Sequence, residues 1–315
     1  MQEFPKTVES DSREIARKIH FSGASGMLGS ALRDALTSRG QPILQLVRHP
    51  STQPSALQWN PSANPAIPNP DALENISAAI HLSGSNVAAH RWTPAYKREI
   101  ADSRIQSTRA LANALANLRN PPQTLLVASA SGIYGNRDDQ LLDESSAPGT
   151  GFLAQVCQEW EAAAQPAVQA GIRVLHLRFG VVLGPGHGAL GKMLPIFRLG
   201  LGGPLGSGRQ WMSWISLQDA VSAILFLIDT PSISGPVNLT APSPITNAQF
   251  TRALAHAVHR PAIFRAPAFA LRMALGEMAD EGLLASARVY PSRLTSAGFK
   301  FSQPTIAQAL DSALA

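Results

Sequence analysis

Three hydroxyls near the middle of the chain have the types and spacing for proton chemistry: Ser129, Ser131 and Tyr134 in Ser-Ala-Ser-Gly-Ile-Tyr. They follow an apolar run from Gln123 to Ala128 that reads as a strand. A parallel α/β sheet places its chemistry at the ends of such strands. Tyr134 reads either as a proton donor or as a packed ring. A second chemical stretch lies close to the start, where Gly23-x-x-Gly26-x-x-Gly29 follows a short apolar strand from Lys18 and opens an amphipathic run from Ser30 to Arg39. Gly23 lets the chain turn, Gly26 lets a pyrophosphate approach the backbone, and Gly29 lets the helix pack close to the sheet. The bare amides and dipole at the helix start favour a phosphate. A dinucleotide site is the reading; a tight structural turn is the alternative.

The second strand, Ile43 to Val47, ends in Val47-Arg48. An acid at that place would bind a free ribose 2′-hydroxyl, as NAD needs. A guanidinium instead forks onto a 2′-phosphate. The expected cofactor is therefore NADP(H), with a solvated Arg48 as the bland alternative.

The elements that must hold these residues follow in order. Residues 49–70 are rich in Pro, Ser and Asn and read as an irregular loop. Ala78 to Gly84 is a strand ending in small residues, and His81 within it reads as a packed core histidine. Thr93 caps a helix that starts at Pro94 and runs through Leu118. Lys97, Ile100, Arg104 and Thr108 share one of its faces, which meets either an anion or solvent. Asp138, Asp139, Asp143 and Glu144 lack metal-ligand spacing and read as solvated. Phe152 to Val168 is predicted helical and Ile172 to Leu177 a strand. Strands alternating with helices imply parallel pairing with right-handed crossovers. Beyond residue 184 the pattern changes. A helix from Ala189 to Leu199 precedes a glycine-rich stretch, Gly200 to Gly208, and then Arg209-Gln210-Trp211. These read as a substrate lid or as a connection whose Trp211 and Trp214 go to the core. Leu217 to Ile228 and Asn247 to Val258 are predicted helices, Pro236 to Leu239 a short strand, and 261–315 two or three short helices.

The composition narrows the function classes. The 315 residues are 45% apolar, enough for a full core. The net charge of +5 comes from 26 scattered basic residues that build no nucleic-acid footprint. One cysteine, Cys157, excludes an internal disulfide and suits a reducing compartment, so a cytoplasmic location is expected. No apolar run reaches the ~18 residues of a membrane helix. Residues 1–17 are polar and acidic, unlike a signal or transit peptide, and read as a flexible N-terminal extension.

Several longer motifs are more specific than the glycines. They are Arg91-Trp92-Thr93 with Ser103-Arg104, Gly202 through Trp211, Trp214-Ile215, and Val237 through Pro242 leading into Thr246-Asn247. With Pro267 to Glu277 and Ala297-Gly-Phe299, the chain resembles the extended and atypical short-chain dehydrogenase/reductases. Among these it is similar to the NAD-dependent epimerase-like, sugar-nucleotide epimerase-like proteins of the SDR39U type, which carry a small C-terminal domain of unknown role. The resemblance covers roughly residues 18–313. It implies an NADP(H) site at Gly23, Ser25, Gly26, Met27 and Leu28, with Val47 and Arg48 reading the ribose phosphate. Leu82, Ser83, Glu99, Arg104 and Val182 complete it. The superfamily's Tyr-x-x-x-Lys proton machinery is absent, since Leu153 and Cys157 fall on those two positions. Any acid must then come from Tyr134, Ser129 or Ser131, and Arg209, Gln210 and Trp211 are the expected substrate contacts.

The expected architecture is a doubly wound parallel (Rossmann) sheet over 18–184, to which 217–240 return. A smaller, partly helical substrate-side lobe is expected from 185–216 and 241–315. The expected function is an NADP(H)-dependent oxidoreductase or epimerase acting on a small polar, sugar-nucleotide-like substrate. The alternative is an NADP(H)-binding regulatory protein without catalysis. A homodimer through the helices at 94–118 and 152–168 is left open.

Overall fold

A computed structural model describes residues 18–315; the extension expected over 1–17 lies outside the described residues. The strands are β1 Ile19–Ser22, β2 Ile43–Val47, β3 Ala56–Gln58, β4 Ala78–His81, β5 Thr124–Ala130, β6 Leu141–Leu142 and β7 Arg173–Phe179. They continue with β8 Val181–Leu183, β9 Trp211–Met212, β10 Trp214–Ser216, β11 Gly235–Leu239, β12 Ile245–Thr246 and β13 Arg288–Val289. The helices are α1 Met27–Ser38, α2 Pro94–Ala116, α3 Phe152–Ala162, α4 Gln165–Gln169 and α5 Gly188–Arg198. After them come α6 Leu217–Asp229, α7 Asn247–Ala257, α8 Ala268–Leu275, α9 Ser292–Ser296 and α10 Ile306–Leu314.

Seven strands form one parallel sheet in the order β11-β7-β5-β4-β1-β2-β3. This is the doubly wound architecture that the alternating pattern implies. Alternation along each strand sends side chains to two faces. On one face Ile19, Phe21, Ile80 and Leu126 pack against Leu32 and Leu36 of α1 and Ala220, Ile224 and Leu227 of α6. On the other, Leu44, Leu46, Ala79, Leu125 and Val127 meet Leu111 and Leu115 of α2, Trp160 of α3 and Ala167 of α4. Each such fully buried leucine or isoleucine contributes about 1.5–3 kcal/mol. A third core joins α5, α7 and α10 through Leu194, Phe250, Leu254 and Leu310, with Trp214 at its centre.

Two expectations need correction. The loop expected over 49–70 contains β3, which pairs Ala56–Gln58 with Gln45–Val47. Three residues without β-branching carry no strand signal of their own; the open edge of β2 recruits them. The single helix expected over Phe152 to Val168 is two, broken after Ala162. Pro166 lacks an N–H, and its ring would clash with the carbonyl of Ala162 in a continuous helix. The start of α2 follows the sequence: the Thr93 hydroxyl accepts the Tyr96 N–H at 3.2 Å, and Pro94 opens the helix. No helix among the described residues is long and apolar enough to cross a membrane.

Candidate functional site

The strand order reverses between β1 and β4. A parallel sheet opens a crevice there, at the C-terminal ends of its strands. Gly23 leaves β1 with φ +83°, and a Cβ on it would sit 2.7 Å from the Leu82 carbonyl carbon and 2.9 Å from the Ser83 nitrogen. The phosphate turn therefore rests directly on the end of β4. Gly29 is equally constrained, because a Cβ there would lie 2.0 Å from the Gly23 carbonyl oxygen. Gly26 differs. A Cβ on it would meet nothing nearer than the Gly23 oxygen at 3.8 Å, and its residue is exposed. The protein's own packing does not demand a glycine there; the space it leaves faces outward.

Gly26 is also the N-cap of α1, with no side-chain capping bond and no acidic residue in the first turn. The first amides of a helix lack intrahelical acceptors, so this end is left for an anion. Met27 reaches across to the loop after β8: a Cβ on Gly184 would meet its sulfur at 2.8 Å. Thus the structure brings together Gly23, Gly26, Met27, Leu82 and Ser83, with Val182 close behind on β8. Ser25 is exposed on the turn, and Leu28 packs partly against the α1–α6 core. Val47 ends β2, and Arg48 beyond it is exposed with no ion pair among the described residues. The set fits a dinucleotide whose pyrophosphate lies at Gly26.

Arg104 lies on the far wall. Its guanidinium donates to the Ser85 carbonyl at 2.9 Å and the Ile100 carbonyl at 3.0 Å, and stands 5.2 Å over the Trp160 ring. Burial pulls its pKa down, and it has no carboxylate partner among the described residues. Glu99 is exposed on the same helix. Lys97 is spent elsewhere, bonded to Glu277 at 2.7 Å.

The hydroxyl cluster is arranged differently from the expectation. Tyr134 is fully buried; its hydroxyl donates to Asn238 Oδ1 at 2.8 Å and accepts from Arg178 Nη1 at 3.0 Å. Burial raises its pKa despite the Arg178 charge beside it. This is the packed-ring alternative, and it argues against Tyr134 as an acid facing the crevice. Ser129 is buried and donates to Glu161 Oε1 at 2.7 Å, so it serves the same internal network. Ser131, half-buried in the turn after β5, is the hydroxyl left nearest the open strand ends. Cys157, at the superfamily's lysine position, is buried and its thiol is pushed up to about 12 by burial first and by Glu161. A thiol so shifted is inert.

The expected substrate residues also take structural partners. Gln210 is buried, and its amide donates to the carbonyls of Leu205 and Leu283, both at 3.1 Å. The amide thus ties the glycine-rich loop to the C-terminal segment. The Trp211 indole donates to Asp139 and lies 4.4 Å from the Arg288 guanidinium. Arg209 is exposed. Glu144, expected to be solvated, is buried and accepts the Asn238 N–H at 3.0 Å; burial raises its pKa. His81 is a core histidine, held between Ser22 (2.6 Å) and Ser107 (3.0 Å).

Sequence reasoning missed two features. One is the Glu161–Arg178 pair, which Arg178 beside the apolar Leu175, Leu177 and Phe179 of β7 signals, since such charges are rarely buried unpaired. The other is Glu281, whose two carboxylate oxygens accept the Phe152 and Leu153 amides at 2.7 Å and so cap α3. No local pattern announces it. Among the described residues, no group of three or more His, Cys, Asp or Glu is placed to hold a metal.

Comparison with known proteins agrees with this geometry. Residues 19–239 match the NAD dependent epimerase/dehydratase family, and residues 266–313 match a domain of unknown function, DUF1731. An epimerase family protein of Mycobacterium bovis is 48% identical over 93% of this chain and 96% of its own length. The Bos taurus epimerase family protein SDR39U1 is 34% identical over 95% of this chain and 100% of its own. The crystal structure of human epimerase family protein SDR39U1 (isoform 2) with NADPH superposes with a TM-score of 0.87, at 30% identity, covering 94% of this chain and 98% of that one. With a glycine turn at the sheet's reversal point, a matching profile over most of its length and relatives along nearly all of it, the chain belongs to the NAD dependent epimerase/dehydratase family.

Proposed function

We propose that this chain binds NADP(H) along the crevice and acts as an oxidoreductase or epimerase on a small polar, sugar-nucleotide-like substrate. The observation that carries the reading is the pairing of Gly26 with Arg48. The open space at Gly26 and the uncapped start of α1 suit a pyrophosphate, and Arg48, which has no ion pair among the described residues, follows β2 where an NAD site would have an acid. The human relative crystallised with NADPH supports the choice of phosphate-bearing cofactor. When bound, NADP(H) supplies or accepts the hydride. The chain's own residues orient it: Gly23 and Leu82 under the nucleotide, Met27 and Val182 toward the loop after β8, Arg104 on the α2 wall. Ser131 is the remaining hydroxyl of the cluster with access to a substrate proton, and Arg209 is the remaining exposed cation of the lid.

Calorimetry with NADPH and NADH on the wild type and on Arg48→Ala tests this. Tight NADPH binding that weakens by about 1.5–3 kcal/mol without the guanidinium, the range for a charge-assisted hydrogen bond, supports the site. Binding of neither cofactor removes the proposal.

A second reading is favoured by the enclosed Tyr134 and the inert Cys157: an NADP(H)-bound regulatory protein without turnover. Transfer of deuterium from labelled NADPH to members of a carbonyl panel separates the two. Stereospecific transfer that Ser131→Ala abolishes supports the enzyme; tight binding with no transfer supports the regulator.

A further inference from the structure

The charge of this chain is unevenly distributed. Residues 185–216 and 241–276 contain no aspartate or glutamate. They carry Lys192, Arg198 and Arg209 in the first stretch and Arg252, Arg260, Arg265 and Arg272 in the second, all exposed. The same stretches hold most of the large apolar side chains that the described residues expose. Ile196, Leu199 and Leu201 stand at the end of α5, and Ile263 and Phe264 stand on the strand-like segment beside it. The two segments are joined where the Phe264 N–H donates to the Gly202 carbonyl, and Arg260 donates to the Arg198 carbonyl at 3.1 Å. The next helix, α8, is apolar apart from Arg272 and has no buried residue; Phe269 and Met273, one turn apart, both face outward.

These side chains protrude. Leu199, Ile263 and Met273 are 74%, 75% and 73% exposed. Proud aliphatic and phenyl groups suit a soft apolar medium better than a preformed protein groove. A cationic rim around such groups is the signature of a surface that lies in the headgroup boundary of an anionic bilayer.

From this juxtaposition of exposed apolar side chains with Arg198, Arg260 and Arg265, we infer that the face formed by the end of α5, residues 260–265 and α8, whose own Arg272 is paired with Asp280 at 2.9 Å, docks peripherally on an anionic lipid surface. The contact is independent of the cofactor reading. Apolar tips enter the acyl boundary while Arg198, Arg260 and Arg265, none of them ion-paired among the described residues, meet headgroup phosphates. No helix among the described residues is long and apolar enough to span the bilayer.

The test is co-sedimentation of the full chain with unilamellar vesicles of phosphatidylcholine, with and without phosphatidylglycerol. The chain pellets with the anionic vesicles only and is released by salt. Substitution R198Q/R260Q/R265Q lowers the partition constant on the order of 100-fold. The pair Phe264→Ser and Phe269→Ser also lowers it, with the melting temperature unchanged. Failure to pellet, or equal binding to neutral vesicles, overturns the proposal. So does binding of polyglutamate in place of vesicles, which assigns the face to an acidic polypeptide. A dimer that F264S/F269S dissociates overturns it as well, because a second copy is then the occupant.

Discussion

Arg178 holds Glu161 through two bonds, from Nε at 2.8 Å and from Nη2 at 2.9 Å, with both side chains nearly enclosed. Burial opposes the arginine's charge, but the bonded carboxylate outweighs it and holds the guanidinium above its usual range. The pair fastens α3 to β7, and through Ser129 and Tyr134 it fastens the turn after β5 as well.

Removing one partner strands the other. Glu161→Leu alone is expected to cost about 3–5 kcal/mol, the usual penalty for an uncompensated buried charge. Glu161→Leu with Arg178→Met together is expected to recover most of that loss. Urea unfolding of the two single variants and the double variant measures the coupling.

Gly26 and Gly29 are expected to separate binding from folding. Gly26→Ala meets open space at φ −76° and leaves the melting temperature unchanged, yet its methyl occupies the approach to the amides and NADPH binding falls. Gly29→Ala drives a methyl into the Gly23 carbonyl and destabilises the fold itself. Thermal melts and cofactor titrations of both variants check the contrast.

Acid destabilises this chain through its sheet histidines. Burial lowers His20 to about 3, with His81 adding to the effect, and burial lowers His81 to about 4. Both sit below the 6.5 of an unfolded histidine, so the unfolded chain binds more protons between those values. Their neutral forms are compatible with the fold above pH 6.5, and stability falls progressively as pH drops from there toward 4. Neither nitrogen of His20 has a hydrogen-bond partner among the described residues. His20→Leu is therefore expected to raise stability and flatten the acid limb of a pH–melting curve, whereas His81→Leu removes the partner of the buried Ser22 hydroxyl and lowers it, Ser107 keeping its bond to the Ser103 carbonyl.

Glu281 reaches α3 from the C-terminal segment. Its replacement by alanine removes two charge-assisted bonds and is expected to cost about 1.5–3 kcal/mol. Hydrogen exchange at Phe152 and Leu153 is expected to accelerate before the sheet amides do. Equal acceleration throughout would place the loss in global stability alone.

What the sequence made legible was what local chemistry specifies. The glycine turn and the Thr93 cap need only neighbours in sequence, and the structure contains both. The alternation of strands and helices likewise carried the sheet. What stayed hidden depends on partners far along the chain. Glu144 reads as a loop acid until Asn238 is brought to it, and Tyr134 reads equally as a proton donor or a packed ring until Arg178 and Asn238 enclose it. Gln210 reads as a lid residue until Leu283 arrives. The edge strand β3 has no signal because β2, not its own residues, specifies it.

The cap on α3 lies 129 residues downstream of the amide it bonds. A ribosome therefore delivers the sheet strands, the glycine turn and α3 well before the segment that caps α3. Domains fold as the N-terminal parts emerge, so the nascent chain holds the first turn of α3 uncapped until Glu281 is made. Translation order alone makes the segment that carries Glu281, close to the C-terminus, the step that completes the cap on α3.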